Sequence, residues 1–141
     1  MEDRKFPKVG IGVMIENKKG ELLLGLRHGS HGESEWSFPG GHLDFGETME
    51  ETARREVKEE TNLDLGELEL ISVADEMRYI ESDGKHYVNI GFKAKYIGGE
   101  LKVVEPYRCK EWRWFDLDHL PDRLFEGTEI MIKNHKREKI Y

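Results

Sequence analysis

One cysteine, Cys109, stands in 141 residues, so no disulfide can form within the chain and the fold must rest on packing. No apolar run approaches the roughly 18 residues that a membrane-spanning helix needs. Met1-Glu2-Asp3-Arg4-Lys5 is not followed by the apolar core of a secretory leader, so a cytoplasmic location is expected. Positive charge is in deficit: 22 Lys and Arg face 29 Asp and Glu, a net charge of −7. Long nucleic acid is held mainly by Lys and Arg on phosphates, so such a partner is not expected, nor is a membrane. A small polyphosphate stays possible, because divalent cations can bridge carboxylate and phosphate. Internal repeats, low-complexity stretches and linkers are also missing. Residues 1–141 are therefore expected to form a single domain.

What is present reads as alternating short elements. Val9–Glu16 has the alternation of a strand, Asn17–Gly20 that of a turn, and Glu21–Leu26 completes a hairpin. Arg27–Glu35 reads as a loop. Trp36–Phe38 is a short strand halted by Pro39-Gly40-Gly41. From Thr48 to about Thr61 the pattern turns helical, with Met49, Ala53 and Val57 four apart. Thr48 and Glu51 have capping-box spacing, and Asn62 tolerates the left-handed backbone that ends a helix. Strands are expected at 68–74, 85–96, 101–104 and 112–115, and a last helix at about 128–136 with Ile130 and Met131 inward. Strands, a helix, more strands and a terminal helix predict an α+β fold, not a regular βαβ alternation.

Arg55-Glu56-Val57-Lys58-Glu59-Glu60 carries the chemistry. On a helix, Glu56, Glu59 and Glu60 stand at i, i+3 and i+4, on one side of one turn. Hard cations such as Mg²⁺ and Mn²⁺ favour oxygen ligands of this kind. Spacing alone leaves a second reading open: a solvated acidic helix laced by Glu50–Arg54, Glu51–Arg55 and Arg55–Glu59 pairs.

The flanking residues decide between them. Gly41, Glu47, Arg55, Glu56, Val57, Glu59, Glu60 and Leu63 match eight of nine fixed positions in G-x5-E-x7-R-E-U-x-E-E-x-G-U, where U is aliphatic. The segment thus resembles the signature of the Nudix (MutT-like) hydrolases. Asn62 replaces the last Gly, a position that supplies no ligand. The resemblance implies an α/β/α sandwich around a mixed sheet. It also implies Mg²⁺-dependent cleavage (Mn²⁺ being possible) of a pyrophosphate bond in a nucleoside-diphosphate-linked small molecule. Phe38–Thr48, with Arg27-His28-Gly29-Ser30 before it, most resembles nucleoside-triphosphate diphosphatases of the human thiopurine-nucleotide-hydrolysing type. The expected reaction is then a (deoxy)nucleoside triphosphate going to monophosphate and pyrophosphate. ADP-ribose or another nucleotide sugar, a capped RNA, and a non-catalytic nucleotide-binding module are the alternatives.

Carried over residue by residue, the resemblance makes Glu56, Glu59 and Glu60 metal ligands, with the Gly41 carbonyl completing the site. Arg55 and Glu47 would pair and orient the box. The base that deprotonates water would be Glu56 or Glu59, or Glu105 or Glu111 in the late loop. Arg27 is expected on substrate phosphate, for which a guanidinium is suited, with Gly40 and Gly41 beside it. The other reading of Arg27 is a surface ion pair, and of Glu105 and Glu111 plain surface acids. His28, His31 and His42 match no zinc spacing and are expected at a pocket rim. Trp36, Phe45, Trp112 and Trp114 are expected in core or sheet, and Cys109 as a structural thiol. A homodimer is implied by the resemblance.

Overall fold

The strand β1 (Lys8–Glu16) is the axis of the molecule, which was obtained as a computed structural model describing residues 4–29 and 31–141. Ser30 and Met1-Glu2-Asp3 lie outside the described residues. Odd positions Ile11, Val13 and Ile15 of β1 point to one face of the sheet, and Gly10, Gly12 and Met14 to the other. Along its whole length β1 pairs in parallel with β7 (Tyr87–Gly98), and through Gly10–Gly12 it pairs antiparallel with β4 (Gly40–His42). β2 (Leu22–Arg27) follows β1 as the second arm of the hairpin, and carries β3 (Trp36–Ser37) and β8 (Cys109–Phe115). β6 (Glu69–Glu76) and the two-residue β5 (Asp64–Leu65) pair with β7.

Helices cover both faces. On α1 (Met49–Thr61), Ala53 and Val57 are fully buried against Ile11, Val13, Ile15, Leu23, Phe92 and Ala94. On α3 (Glu126–Arg137), Met131 and Ile132 pack on Met14, Leu22, Leu24, Phe38 and Ile71. The short α2 (Ile80–Asp83) lies between β6 and β7. The fold is α+β, with a mixed sheet between helical layers. Among the described residues no helix is long and apolar enough to cross a membrane.

Local chemistry explains the ends of α1. Thr48 accepts from the Glu51 N–H at 3.1 Å while Glu51 accepts from the Thr48 N–H at 2.8 Å, a closed capping box. Asn62 ends the helix at φ 68°, and its Nδ2 donates to the Glu100 carbonyl at 2.9 Å.

Four expectations change. Pro39-Gly40-Gly41 does not end the sheet: it passes into β4, because glycine lets that backbone run against β1. Residues 101–104 are not a strand. They run past the end of α1, where Lys102 N–H donates to the Thr61 carbonyl at 3.0 Å. Phe45 is fully exposed and Met49 is 41% exposed, since they precede and open α1 on its outer side. Glu51 serves the cap instead of an ion pair with Arg55, whereas Arg54–Glu50 (3.8 Å) and Arg55–Glu59 (3.3 Å) do form.

Candidate active site

Arg55 is the hub of the acidic helix. Its Nε and Nη2 donate to the two Glu47 oxygens, both at 2.8 Å, a fork on a fork. Nη1 donates to Glu56 at 2.9 Å and to Glu59 at 3.3 Å, and Nη2 reaches Asp44 at 3.1 Å. Glu47 also accepts from the Thr52 hydroxyl at 2.9 Å. These hydrogen bonds, the Arg55 pair foremost, hold the Glu47 carboxyl down at about 2, and the same pair pushes the guanidinium up.

Glu56 is 8% exposed, and its Oε2 is buried with no hydrogen-bond partner. Burial raises its pKa, against the pull of Arg55. Gly41 is small for a reason visible here: a Cβ at that position would overlap the Glu56 carboxylate. A Cβ at Gly40 would instead overlap the Ile11 carbonyl and break the approach of β4 to β1.

Glu60 faces a cleft of about 150 Å³ that Gly40, Gly41, Arg27 and Arg108 also line. Burial drives its carboxyl well above the ordinary range; Glu56 and Glu105 add repulsion, and Arg108 opposes them. Glu105 is brought near it by the 101–105 segment along the end of α1, and its Oε1 is buried without a hydrogen bond, 3.9 Å from Arg108 Nη1. Glu59 points elsewhere: its side chain is half exposed and paired with Arg55. Glu111 is paired with Arg113 at 3.0 Å on the exposed side of β8, apart from this group. Among the described residues no three acid, histidine or cysteine side chains yet converge as a finished metal cage. The donor set is nevertheless oxygen only and mutually repelling, with a buried oxygen left open on Glu56. That chemistry suits a hard divalent cation.

Arg27 lies inside the cleft, not in a surface pair. Its guanidinium sits 4.0 Å over the Phe125 ring, its Nε donates to the His31 carbonyl at 3.1 Å, and burial lowers its pKa. His28, His31 and His42 all line the cleft, and His42 Nε2 meets the Tyr87 hydroxyl at 2.9 Å. Cys109 is buried in the wall, its Sγ donating to the Glu111 carbonyl at 3.2 Å, and burial pushes the thiol to about 11. Among the cleft residues that escaped the sequence reading are Arg108, Glu76 and Asn89. For Asn89 a signal existed, a polar residue at an inward position of an alternating apolar strand. For Arg108 and Glu76 none did.

Comparison with known proteins places this geometry. A sequence profile described as NUDIX domain matches residues 6–134. The chain is 36% identical to an ADP-ribose pyrophosphatase of Methanocaldococcus jannaschii, over 94% of this chain and 75% of that protein. It is 28% identical to an NAD-capped RNA hydrolase of Pectobacterium carotovorum, over 94% of this chain but 52% of the other, so it spans about half the length of that relative. The crystal structure of a MutT NUDIX hydrolase from Burkholderia pseudomallei superposes with a TM-score of 0.86 at 34% identity, covering 92% of this chain and 98% of that one.

Proposed function

This chain belongs to the NUDIX domain family, and on that premise we propose that it is a Mg²⁺-dependent hydrolase of a pyrophosphate bond in a nucleotide. The observation that carries the reading is the pairing of opposites across one cleft. Glu60 lines that cleft together with the Arg27 and Arg108 guanidiniums, and the carboxylates of Glu56 and Glu105 lie close enough to repel it. A diphosphate bridge needs both, because cations must offset its charge before water can approach.

Glu56 and Glu60 would hold the metal, with the Gly41 carbonyl beside them and Mn²⁺ as an acceptable substitute. When bound, Mg²⁺ would neutralise phosphate oxygens and acidify the attacking water. Arg27, fixed over Phe125, would orient a phosphate by its guanidinium, with Gly40 and Gly41 leaving room for the chain of phosphates. Glu105, close enough to Glu60 to repel it and lacking a hydrogen bond on Oε1, is the best placed base, with Glu56 and Glu59 as the other candidates. Arg55 and Glu47 act through Glu56 by holding it in place.

For the substrate, the Phe38–Thr48 sequence supports a (deoxy)nucleoside triphosphate, as in diphosphatases of the thiopurine-nucleotide-hydrolysing type. The Methanocaldococcus relative favours a second reading, ADP-ribose. A capped RNA fits less well with a net charge of −7. A non-catalytic module is disfavoured by the retention of Glu56, Glu59 and Glu60.

The test is a panel of nucleoside triphosphates, ADP-ribose and NAD, with and without Mg²⁺, scored for release of phosphate, pyrophosphate or monophosphate. Turnover of at least one member is expected only with the metal, and Glu56→Gln and Glu60→Gln should each lose it by about 100-fold or more. No turnover of any member by the unaltered protein, or full turnover by both variants, would sink the proposal. A homodimer belongs to the same reading, and light scattering decides it.

A further inference from the structure

The Arg27 guanidinium is aimed without a carboxylate. Among the described residues its one hydrogen bond runs from Nε to the His31 carbonyl at 3.1 Å. That leaves the end-on fork of Nη1 and Nη2 for the two oxygens of a phosphate. One side of the guanidinium faces the Phe125 ring, 4.0 Å away. The loop between β2 and β3 closes against it, and Gly32 permits the approach. At φ 69°, a Cβ on Gly32 would come 2.8 Å from both Arg27 Nε and Phe125 Cδ1. A cation held by a neutral carbonyl keeps its full attraction for an anion, whereas a carboxylate partner would compete with that anion.

What holds that carbonyl in place lies partly outside the loop. His31 Nδ1 meets Asp83 Oδ2 at 3.1 Å, in the last turn of α2 and 52 residues away in sequence. A carboxylate can only accept, so Nδ1 carries the proton, and burial lowers the His31 pKa and keeps the ring neutral. The same hydrogen bond holds the Asp83 carboxyl below its ordinary range. Asp83 is itself fixed by its backbone: its N–H donates to the Tyr79 carbonyl at 2.9 Å, and Gly84 ends α2 in the left-handed conformation. The Tyr79 hydroxyl donates to Glu35 at 2.8 Å, so α2 and the loop are joined at two points. The His31 ring stands edge-on to Phe125 at 5.2 Å, against the ring that also carries Arg27. Among the described residues Asp83 forms its ion pair with His31 and none with Arg27, so its effect on Arg27 passes through His31.

We propose that Asp83 is a positioning residue for the phosphates: by tethering His31 it keeps the His31 carbonyl on Arg27 Nε, and so keeps the Nη1–Nη2 fork directed into the cleft that Gly40 and Gly41 line. The inference rests on the hydrolase reading for the nature of the anion, a diphosphate, and adds a residue that touches neither substrate nor metal. Without the tether the loop peptide at 31–32 turns more freely and Arg27 gains rotamers. Ordering both again on binding then opposes affinity, which a preorganised guanidinium avoids.

The experiment titrates methylenediphosphonate, whose carbon bridge water cannot cleave, into the protein calorimetrically with Mg²⁺ present. Compared are the unaltered chain, Asp83→Ala, Asp83→Asn, Arg27→Ala and the double variant Arg27→Ala with Asp83→Ala. Asp83→Ala should weaken binding about fivefold to tenfold, and Asp83→Asn, which keeps an oxygen to accept from Nδ1–H, should recover most of that. Arg27→Ala should weaken it at least as much. In that background Asp83→Ala should change nothing further, because no guanidinium is left to aim. A merely structural role for Asp83 would give the same loss in both backgrounds. His31→Ala keeps the carbonyl that Arg27 donates to and reads the link from its other end; it should match Asp83→Ala, and replaces it should that variant fail to fold. Undiminished binding after loss of the tether, equal losses with and without Arg27, or no binding of the diphosphonate by the unaltered protein would each overturn the proposal. Losses that depend on Arg27, with no turnover anywhere in the nucleotide panel, would sink the hydrolase reading and leave the tether standing. Turnover with additive losses would do the reverse.

Discussion

At the scale of the residue, two adjacent glycines do different work. Gly41 keeps space for the end of a flexible side chain, the Glu56 carboxylate, while Gly40 keeps space for main chain. Gly41→Ala is therefore expected to fold and to lose about 10–100-fold in activity, as Glu56 is pushed off Arg55. Gly40→Ala is expected to lose Tm first, because the Ile11 carbonyl cannot move without opening β1 from β4. Circular dichroism melts read beside the nucleotide assay separate the two; equal melts for both variants would contradict this account. The Arg55–Glu47 fork makes a prediction in acid. Glu47 is held at about 2 when folded, against 4.5 for the free group, so its contribution is present above 4.5 and lost as pH falls towards 2. Glu47→Gln should flatten the fall in Tm across that window and leave the slope above pH 5 unchanged.

At the scale of the element, α1 was the most legible part of the sequence, because its information is local. Thr48, Glu51 and Asn62 act within a turn of themselves, and Ala53 and Val57 report a buried stripe by spacing alone. Thr48→Ala should cost about 1 kcal/mol, measured by urea unfolding, since the hydroxyl that accepts from the Glu51 N–H is lost while the residue-48 N–H still reaches the Glu51 carboxylate. The hairpin of β1 and β2 and the strand around Trp112–Phe115 were legible for the same reason, by alternation. What stayed hidden depends on distant partners. β4 follows a Pro-Gly-Gly run that reads as a turn, and only its pairing with β1 makes it a strand. The parallel match of β1 to β7 joins segments some eighty residues apart, and nothing in either announces the other. Segment 101–104 carries apolar residues at strand-like spacing but spends its hydrogen bonds on the end of α1. In the cleft, Glu56, Glu60 and Arg27 could be named from motif and residue type. Glu76 and Arg108 could not, since a buried acid on a strand or an arginine in a loop is defined by what surrounds it.

At the scale of the whole molecule, pH acts with opposite signs on the Glu47 carboxylate beside Arg55 and on the buried acid Glu76 of β6. Burial lifts Glu76 to about 7, with Glu126 adding to the rise and Arg27 and Arg78 opposing it. A raised acid favours the folded state fully below its unfolded value of 4.5, and that advantage is lost as pH climbs through 7. Glu76→Gln should thus match the parent in Tm near pH 4 and exceed it increasingly up to about pH 8. A constant difference across that range would show that Glu76 does not titrate there.

The alternation of β1 has a further consequence, for descent. Its odd side chains anchor the helix of carboxylates, while Gly10 and Gly12, at even positions, line the cleft, with Met131 of α3 close over Gly12. One strand therefore separates two sets of selective demands. Mutations on β6, β7 or the start of α3 can drift without disturbing the Arg55 lattice, and duplicated copies of such a gene could diverge in diet while inheriting the same hydrolytic hardware.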